Sequence, residues 1–282
     1  MTALRSAAEV VVPASLDAAV EALAEAGDRG APLAGATWIM RGGRAKDVYV
    51  SLAGVPELSG VAVGDELRAG ALATHTDLSG LDGPLAVLGE AAGRSAFPAV
   101  RNVATLGGNL GARPFPEADL VPALLAAEAQ VRVVGPAGEE RIDVAAYLAR
   151  REEERPGELV ADVTAPAPAG RRSAFERLTI RGGGEYALAS VAVSVDLDDA
   201  GVVRAARVAL GSVEPVARLS EAGAAVLVGA PLDADAAERC GRAAADEATP
   251  REGLDSPAWY RAAVLPGLVR RAVARMTEER GA

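Results

Sequence analysis

Between Ser15 and Gly27 apolar side chains recur at helical spacing, with Val20, Leu23, Ala24 and Ala26 on one side. Ser15 as N-cap, Asp17 in the first turn and Gly27 past the end predict a closed helix, preceded by a short strand from Glu9 to Val12. From there to about residue 70 the apolar runs shorten and glycine interrupts them, at Gly35, Gly42-Gly43, Gly54 and Gly64. Short strands with tight turns follow from that pattern, around Ala31 to Leu33, Val48 to Leu52 and Glu66 to Ala69. Helical spacing returns in Pro84 to Gly93 and in Asp119 to Ala129, the latter with Leu120, Leu124 and Leu125 on one side. Val131 to Val134 reads as a strand ahead of a Gly-Pro-Ala-Gly turn.

The texture changes between Arg150 and Arg172, where an Arg-Arg-Glu-Glu-Glu-Arg run meets Pro156, Gly157, Pro166 and Pro168. A domain boundary is expected there, giving a first domain over 1–165, in two subdomains of about 1–55 and 56–165, and a second over 166–282. Longer alternating strands follow: Ala174 to Ile180, Leu188 to Leu197 and Val202 to Val213, the last two joined by the turn Asp198-Asp199-Ala200-Gly201. They predict a three-stranded antiparallel sheet. Helices are expected over Arg218 to Val228, Asp233 to Glu247, and Ser256-Pro257 to Met276, with Pro266 kinking or dividing the last. The fold class is α+β.

Composition narrows the chemistry. The 282 residues hold one Cys, Cys240, and one His, His75, too few for a structural zinc site or an iron–sulfur cluster, so any such centre belongs on another chain. Lys46 is the one lysine and lies outside any Gly-x-x-x-x-Gly-Lys-Ser/Thr pattern, which excludes a P-loop. A net charge of −10 without a basic patch argues against nucleic acid or an anionic membrane surface as partner. No apolar run approaches a membrane span, Met1 to Val12 lacks a signal-peptide core, and a single Cys forms no intrachain disulfide, so a cytoplasmic location is the expectation.

Two segments carry candidate chemistry. Arg101-Asn102-Val103-Ala104-Thr105-Leu106-Gly107-Gly108-Asn109-Leu110-Gly111 has successive glycines that let main-chain N–H groups approach a phosphate, with Thr105 and Asn109 adding side-chain hydrogen bonds. Taken alone, Gly107-Gly108-Asn109 reads first as a hairpin or bulge with Asn109 capping itself. The second segment, Pro32 to Ile39, is a strand leading into the small-residue turn Ala34-Gly35-Ala36-Thr37, followed by Trp38. Two such loops suit the two phosphates of one dinucleotide.

Together these segments resemble the FAD-binding, or medium, subunit of molybdenum hydroxylases, the family of xanthine dehydrogenases and aerobic carbon monoxide dehydrogenases. Ala34 to Thr37 is similar to the family's Ala-Gly-Gly loop, Thr105 to Asn109 to its Thr-Ile-Gly-Gly-Asn loop, and Asp119 to the acidic residue that follows. Arg177 to Ala192 and Ser256 to Arg271 are similar to its C-terminal strand and Ser, Tyr-Arg, Arg-Arg-Ala helix. The resemblance implies FAD bound in a two-subdomain portion of the vanillyl-alcohol-oxidase type, with a separate C-terminal α+β domain. It implies pyrophosphate contacts from Ala34, Gly35, Ala36, Thr37, Trp38, Thr105, Gly107, Gly108 and Asn109, and a ribose or adenine contact from Asp119, a carboxylate expected where solvent still reaches it. It also implies that Arg177, Gly183, Gly184, Glu185 and Tyr186 reach toward the flavin.

By the same resemblance the chain carries electrons from [2Fe–2S] clusters on a small subunit, fed by a molybdopterin large subunit, through FAD to NAD, a quinone or dioxygen. The alternatives are a free-standing flavin oxidase with Tyr186, Glu185 or His75 as base, and an assembly module that has lost FAD. Three departures bear on the choice. Ala36 stands where many members have glycine, Trp38 is bulkier than usual, and Arg113-Pro114-Phe115-Pro116 adds a residue before Asp119. His75 reads best as a packed residue beside a helix cap, and Cys240 as a small apolar one.

Overall fold

The computed structural model of the chain describes residues 8–41, 46–153, 155–180 and 185–278. Strands β1 (Glu9–Val11), β2 (Gly30–Leu33) and β3 (Val48–Ser51) make a parallel sheet in the order β1-β3-β2. Helix α1 (Leu16–Ala26) covers it, its N-terminus capped by Ser15, whose Oγ accepts from the Ala18 N–H at 3.2 Å. A second, antiparallel sheet of β4 (Val61–Val63), β5 (Glu66–Gly70), β6 (Gln130–Gly135), β7 (Gly138–Asp143) and β8 (Leu159–Pro166) runs in the order β4-β5-β8-β6-β7. Between β5 and β6 lie α2 (His75–Leu78), α3 (Ala86–Arg94), α4 (Pro98–Arg101), α5 (Leu106–Gly111) and α6 (Leu120–Ala126), and α7 (Val144–Arg150) follows β7.

The third sheet is antiparallel, β12-β11-β10-β9, from β9 (Arg171–Thr179), β10 (Ala187–Leu197), β11 (Val203–Gly211) and β12 (Arg218–Leu219). Helices α8 (Glu221–Leu227), α9 (Ala234–Glu247), α10 (Ala258–Ala263) and α11 (Leu265–Glu278) follow. Strand β10 is buried from Ala187 to Val195 because both of its faces are covered. Ala189, Val191, Val193 and Val195 pack with Cys240 of α9 and with Leu268, Val269 and Ala272 of α11. Ala192, with Phe175 and Ala209 beside it, joins the other core, which includes Leu120, Leu124 and Leu125 of α6. Small residues face the tightly apposed helix; at Gly211 a side chain would be driven into Pro122. One sheet therefore supplies both hydrophobic cores.

Several expectations need correction. The predicted three-stranded sheet has a fourth strand, β12, which takes the first two residues of the predicted helix over Arg218 to Val228. The segment expected to hold the domain boundary also carries an unpredicted strand, β8, buried from Leu159 to Ala165 at the centre of its sheet. Its charge is accommodated by neighbours, since Asp162 binds Arg132 at 2.5 Å on the adjacent strand β6 and Arg141 at 2.9 Å on β7, one strand further, and these arginines hold its carboxyl below the usual range against the opposing effect of burial. The turn at 198–201 forms as expected, with Asp198 Oδ1 accepting from the Ala200 and Val202 N–H groups. The last helix divides at Val264, one residue before α11, whose second residue is Pro266. Among the described residues no helix is long and apolar enough to cross a membrane, and no group of His, Cys, Asp and Glu is placed to hold a metal ion.

Candidate functional site

Beyond Leu33, whose carbonyl accepts from Leu52 N–H at 2.9 Å, the chain leaves the first sheet and turns sharply. Ala36 takes φ of 59°, a left-handed backbone that costs an L-residue about 1–2 kcal/mol. A single helical turn follows, closed by Met40 N–H to Ala36 O at 3.1 Å and Arg41 N–H to Trp38 O at 2.9 Å. Gly35 lies against the second loop, where a side chain would be driven into the Val103 carbonyl. The structure thus brings the two predicted loops into contact. The main-chain N–H groups of Gly35, Ala36, Thr37, Trp38 and Ile39 have no acceptor among the described residues. Ala34 is half-buried at the start of this row. Unpaired N–H groups around a left-handed residue form an anion-binding concavity.

The second loop differs from its expectation. Thr105 forms a bridge with Thr74 and then caps α5, its Oγ1 accepting from Gly108 N–H at 3.1 Å. Gly107 N–H donates to Ala71 O at 2.8 Å and Asn109 N–H to Thr105 O at 2.9 Å. The amides of Gly107, Gly108 and Asn109 are therefore spent inside the chain, and the outward-turned glycine nest expected here is replaced by a capped helix start. A Thr followed three residues later by a helical N–H donor is a capping pattern, and that signal was available in the sequence. Asn109 Oδ1 accepts from Leu120 N–H at 3.3 Å, holding the start of α6. Among the described residues this loop leaves without an acceptor the Thr105 main-chain N–H, the Thr105 hydroxyl proton and the Asn109 amide nitrogen, beside an exposed Gly108 without a side chain.

Asp119 was expected where solvent reaches; instead it is 3% exposed. It bonds Arg177 Nη1 through Oδ2 at 2.6 Å, while Oδ1 is buried without a partner. Burial pushes its carboxyl up to about 7, with Arg177 and Arg94 pulling the other way. Arg177 also donates to the carbonyls of Arg94 and Glu185, so it ties α3, the start of α6 and the segment before β10 together. Tyr186 follows at the surface, and Gly183 and Gly184 lie outside the described residues. Tyr186 meets Phe115 edge-on, with centroids 6.0 Å apart, and Phe115 stacks on Trp38 at 4.2 Å. Two departures seen in the sequence, the bulky Trp38 and the longer 113–116 segment, thus pack against each other. The sequence marks Phe115 only as part of the lengthened 113–116 segment and gives Arg41, which lies over the Tyr186 ring, no role, because contacts between rings and charges distant in the chain have no local signature.

His75 and Cys240 are not part of this site. Thr74 and Asp77 form a capping box around His75, whose Nδ1 lies 2.5 Å from Ser95 Oγ. Burial, with the nearby Arg101 charge, lowers the imidazole to about 4. Cys240 is buried, which pushes its thiol up to about 12.

The architecture is mixed α and β, with one parallel and two antiparallel sheets and two loops in contact at Gly35 and Val103. Residues 6–168 match the FAD binding domain of molybdopterin dehydrogenases, and residues 173–276 the CO dehydrogenase flavoprotein C-terminal domain. The chain is 31% identical over 280 residues to the 6-hydroxypseudooxynicotine dehydrogenase complex subunit alpha of Paenarthrobacter nicotinovorans, covering 95% of this chain and 93% of that one. It is 31% identical over 278 residues to the carbon monoxide dehydrogenase medium chain of Afipia carboxidovorans, covering 93% and 94%. Its fold superposes on carbon monoxide dehydrogenase from Hydrogenophaga pseudoflava with a TM-score of 0.88, at 27% identity over 98% of this chain and 99% of that one. The chain belongs to the family of FAD-binding medium subunits of molybdenum hydroxylase-type dehydrogenase complexes. Its cofactor is FAD. The residues present fit that group: a row of unpaired N–H groups, a glycine that a side chain would close, and an unpartnered Asp119 oxygen.

Proposed function

We propose that this chain is the electron-transfer subunit of a molybdenum hydroxylase complex. Substrate is oxidised at a molybdopterin on a large partner chain, electrons pass through [2Fe–2S] clusters on a small partner chain, and this chain delivers them to NAD, a quinone or dioxygen. FAD, when bound, supplies the redox chemistry, and the protein binds, orients and shields it. The observation that carries the reading is the row of unpaired N–H groups from Gly35 to Ile39, held against Val103. Ala34 to Thr37 hold the pyrophosphate, with the Thr105 hydroxyl and the Asn109 amide as further donors. Gly107 and Gly108 contribute close approach rather than hydrogen bonds. Asp119, fixed by Arg177, offers its free oxygen to a ligand hydroxyl, and Arg177 sets the position of Glu185 and Tyr186. In this reading residues 1–165 hold the cofactor and residues 166–282 cover it.

Two functions are divided by one experiment. The tagged chain is recovered from the cells that make it, and the recovered material is examined for molybdopterin and for [2Fe–2S] absorption. Co-recovery of chains carrying both groups, with flavin that reoxidises when an acceptor is supplied, is the expected result. A chain recovered alone with a flavin that turns over its own small substrate overturns the subunit reading in favour of a free-standing oxidase.

A further inference from the structure

The segment Ser256 to Arg271 stands out in the sequence, and only part of it is spent on the fold. Arg261 is buried and staples α10 to Leu188 and Asp255. Tyr260, Arg270 and Arg271 instead line a groove of about 610 Å³ between α9, α10, α11 and the end of β9. Leu178, Val264 and Pro266 give it an apolar lining, and Arg242 of α9 adds a third guanidinium. Glu238 lies between Arg242 and Arg270, at 2.8 Å and 3.3 Å, and holds both at the groove. Arg271 reaches Glu176 through Nε alone, so its terminal nitrogens have no acceptor among the described residues. All three arginine side chains are more than half exposed.

Charge and aromatic surface together define what would fill the groove. In the ionic network that includes it, five arginines, Arg94, Arg242, Arg270, Arg271 and Arg275, share three carboxylates, Glu90, Glu176 and Glu238. Positive charge is therefore in local excess on a chain of net charge −10. Beside the groove Trp259 is 70% exposed and meets the Tyr260 ring edge-on, with centroids 5.5 Å apart. Trp, Tyr and Arg are the residues that carry most binding energy at protein interfaces, and an arginine-lined patch is complemented by carboxylates. A lone inorganic anion would leave the apolar lining and Trp259 in water. Resting on the subunit reading above, we propose that this groove seats an acidic segment of a partner chain of the complex, with an apolar side chain against the lining and Trp259 and carboxylates on Arg242, Arg270 and Arg271.

The test uses the tagged full chain, recovered from the cells that make it, with molybdopterin and [2Fe–2S] content per chain as the readout and flavin content as the measure of folding. Arg242→Glu combined with Arg270→Glu, and separately Trp259→Ala, are expected to lower the recovery of both partner groups about tenfold or more, with flavin content unchanged. Undiminished recovery in both variants overturns the proposal. A second measurement leaves the arginines and Trp259 intact. Ala263 is exposed on the groove wall, and Ala263→p-benzoylphenylalanine places a photo-cross-linker there. A cross-link to a partner-chain peptide rich in Asp and Glu is the expected result; an assembled complex in which the label reaches no other chain, or only a second copy of this one, overturns the proposal even where the charge-reversed chain fails to fold. A wild-type chain recovered without molybdopterin and iron–sulfur chains strikes the subunit reading and this occupant with it, whereas an intact complex indifferent to all of these changes strikes only the groove.

Discussion

Ala36 holds φ at 59° with a Cβ present, in a loop whose other special position, Gly35, has no room for one. Left-handed backbone costs alanine about 1–2 kcal/mol, part of which glycine gives back through the entropy of the unfolded chain. Ala36→Gly is therefore expected to stabilise the protein by about 0.5–1 kcal/mol in urea unfolding, and a destabilised variant would contradict the strain. His75 makes a second residue-scale prediction. Its imidazole is lowered from 6.5 to about 4 by burial first and Arg101 second, so between those pH values the unfolded chain binds the proton that the folded chain refuses. This contribution to stability is complete above pH 6.5 and is lost as pH falls toward 4, by about 3 kcal/mol. Asp119, raised to about 7, acts in the opposite sense, because the folded state takes up its proton first as pH falls. The measurement is therefore the difference between the wild type and His75→Gln in denaturant titrations at pH 7 and pH 4.5. Parallel pH profiles would remove His75 as the cause.

The C-terminal helices are held to the third sheet by a side chain that is fully buried. Arg261 of α10 donates to Leu188 O at 2.5 Å on β10, to Ser212 O at 3.2 Å just after β11, and to Asp255 at 2.6 Å. Arg261→Met strands two carbonyls and is expected to cost about 3 kcal/mol or more of stability, read from chemical denaturation. A loss below about 0.5 kcal/mol, the size of an ordinary surface change, would show that the staple is dispensable. At this scale the sequence was legible wherever local pattern and final environment agree. Helix α1 with Ser15 and Gly27, the hairpin at 198–201 and the break near Pro266 are all set by nearest neighbours. Strand β8 was hidden because its charge is neutralised by Arg132 and Arg141, distant in sequence. The glycines of 107 and 108 stand out in the sequence; the Gly108 amide is claimed by the local Thr105 cap, a readable pattern, whereas the Gly107 amide is claimed by Ala71, which only the tertiary fold decides. Asp119 was found by resemblance, whereas its burial against Arg177, 58 residues away, has no local signature.

Across the whole molecule, the sheet of β9 to β12 lies between two cores, giving Phe175, Ala192 and Ala209 to one and Val191, Val193 and Val208 to the other. Polar ties cross the same layer: Ser173 accepts from Val87 N–H at 3.0 Å, and Glu176 binds Arg94, Arg271 and Arg275. Neither core survives loss of that sheet, so the two parts of the chain are expected to unfold together. Trp259→Phe leaves Trp38 to report on one part, and Trp38→Phe leaves Trp259 to report on the other. Coincident denaturation midpoints, each corrected for the stability of its variant, are the expected result, and well-separated midpoints would show independent units. The central claim is that loops 34–39 and 103–109 together hold FAD. It is tested most directly by the visible absorption spectrum of the purified chain after incubation with FAD and desalting. A flavin spectrum stoichiometric with protein, lost in Gly35→Val, is the predicted result; a colourless wild-type chain, or a Gly35→Val chain that is folded and fully loaded, would contradict it.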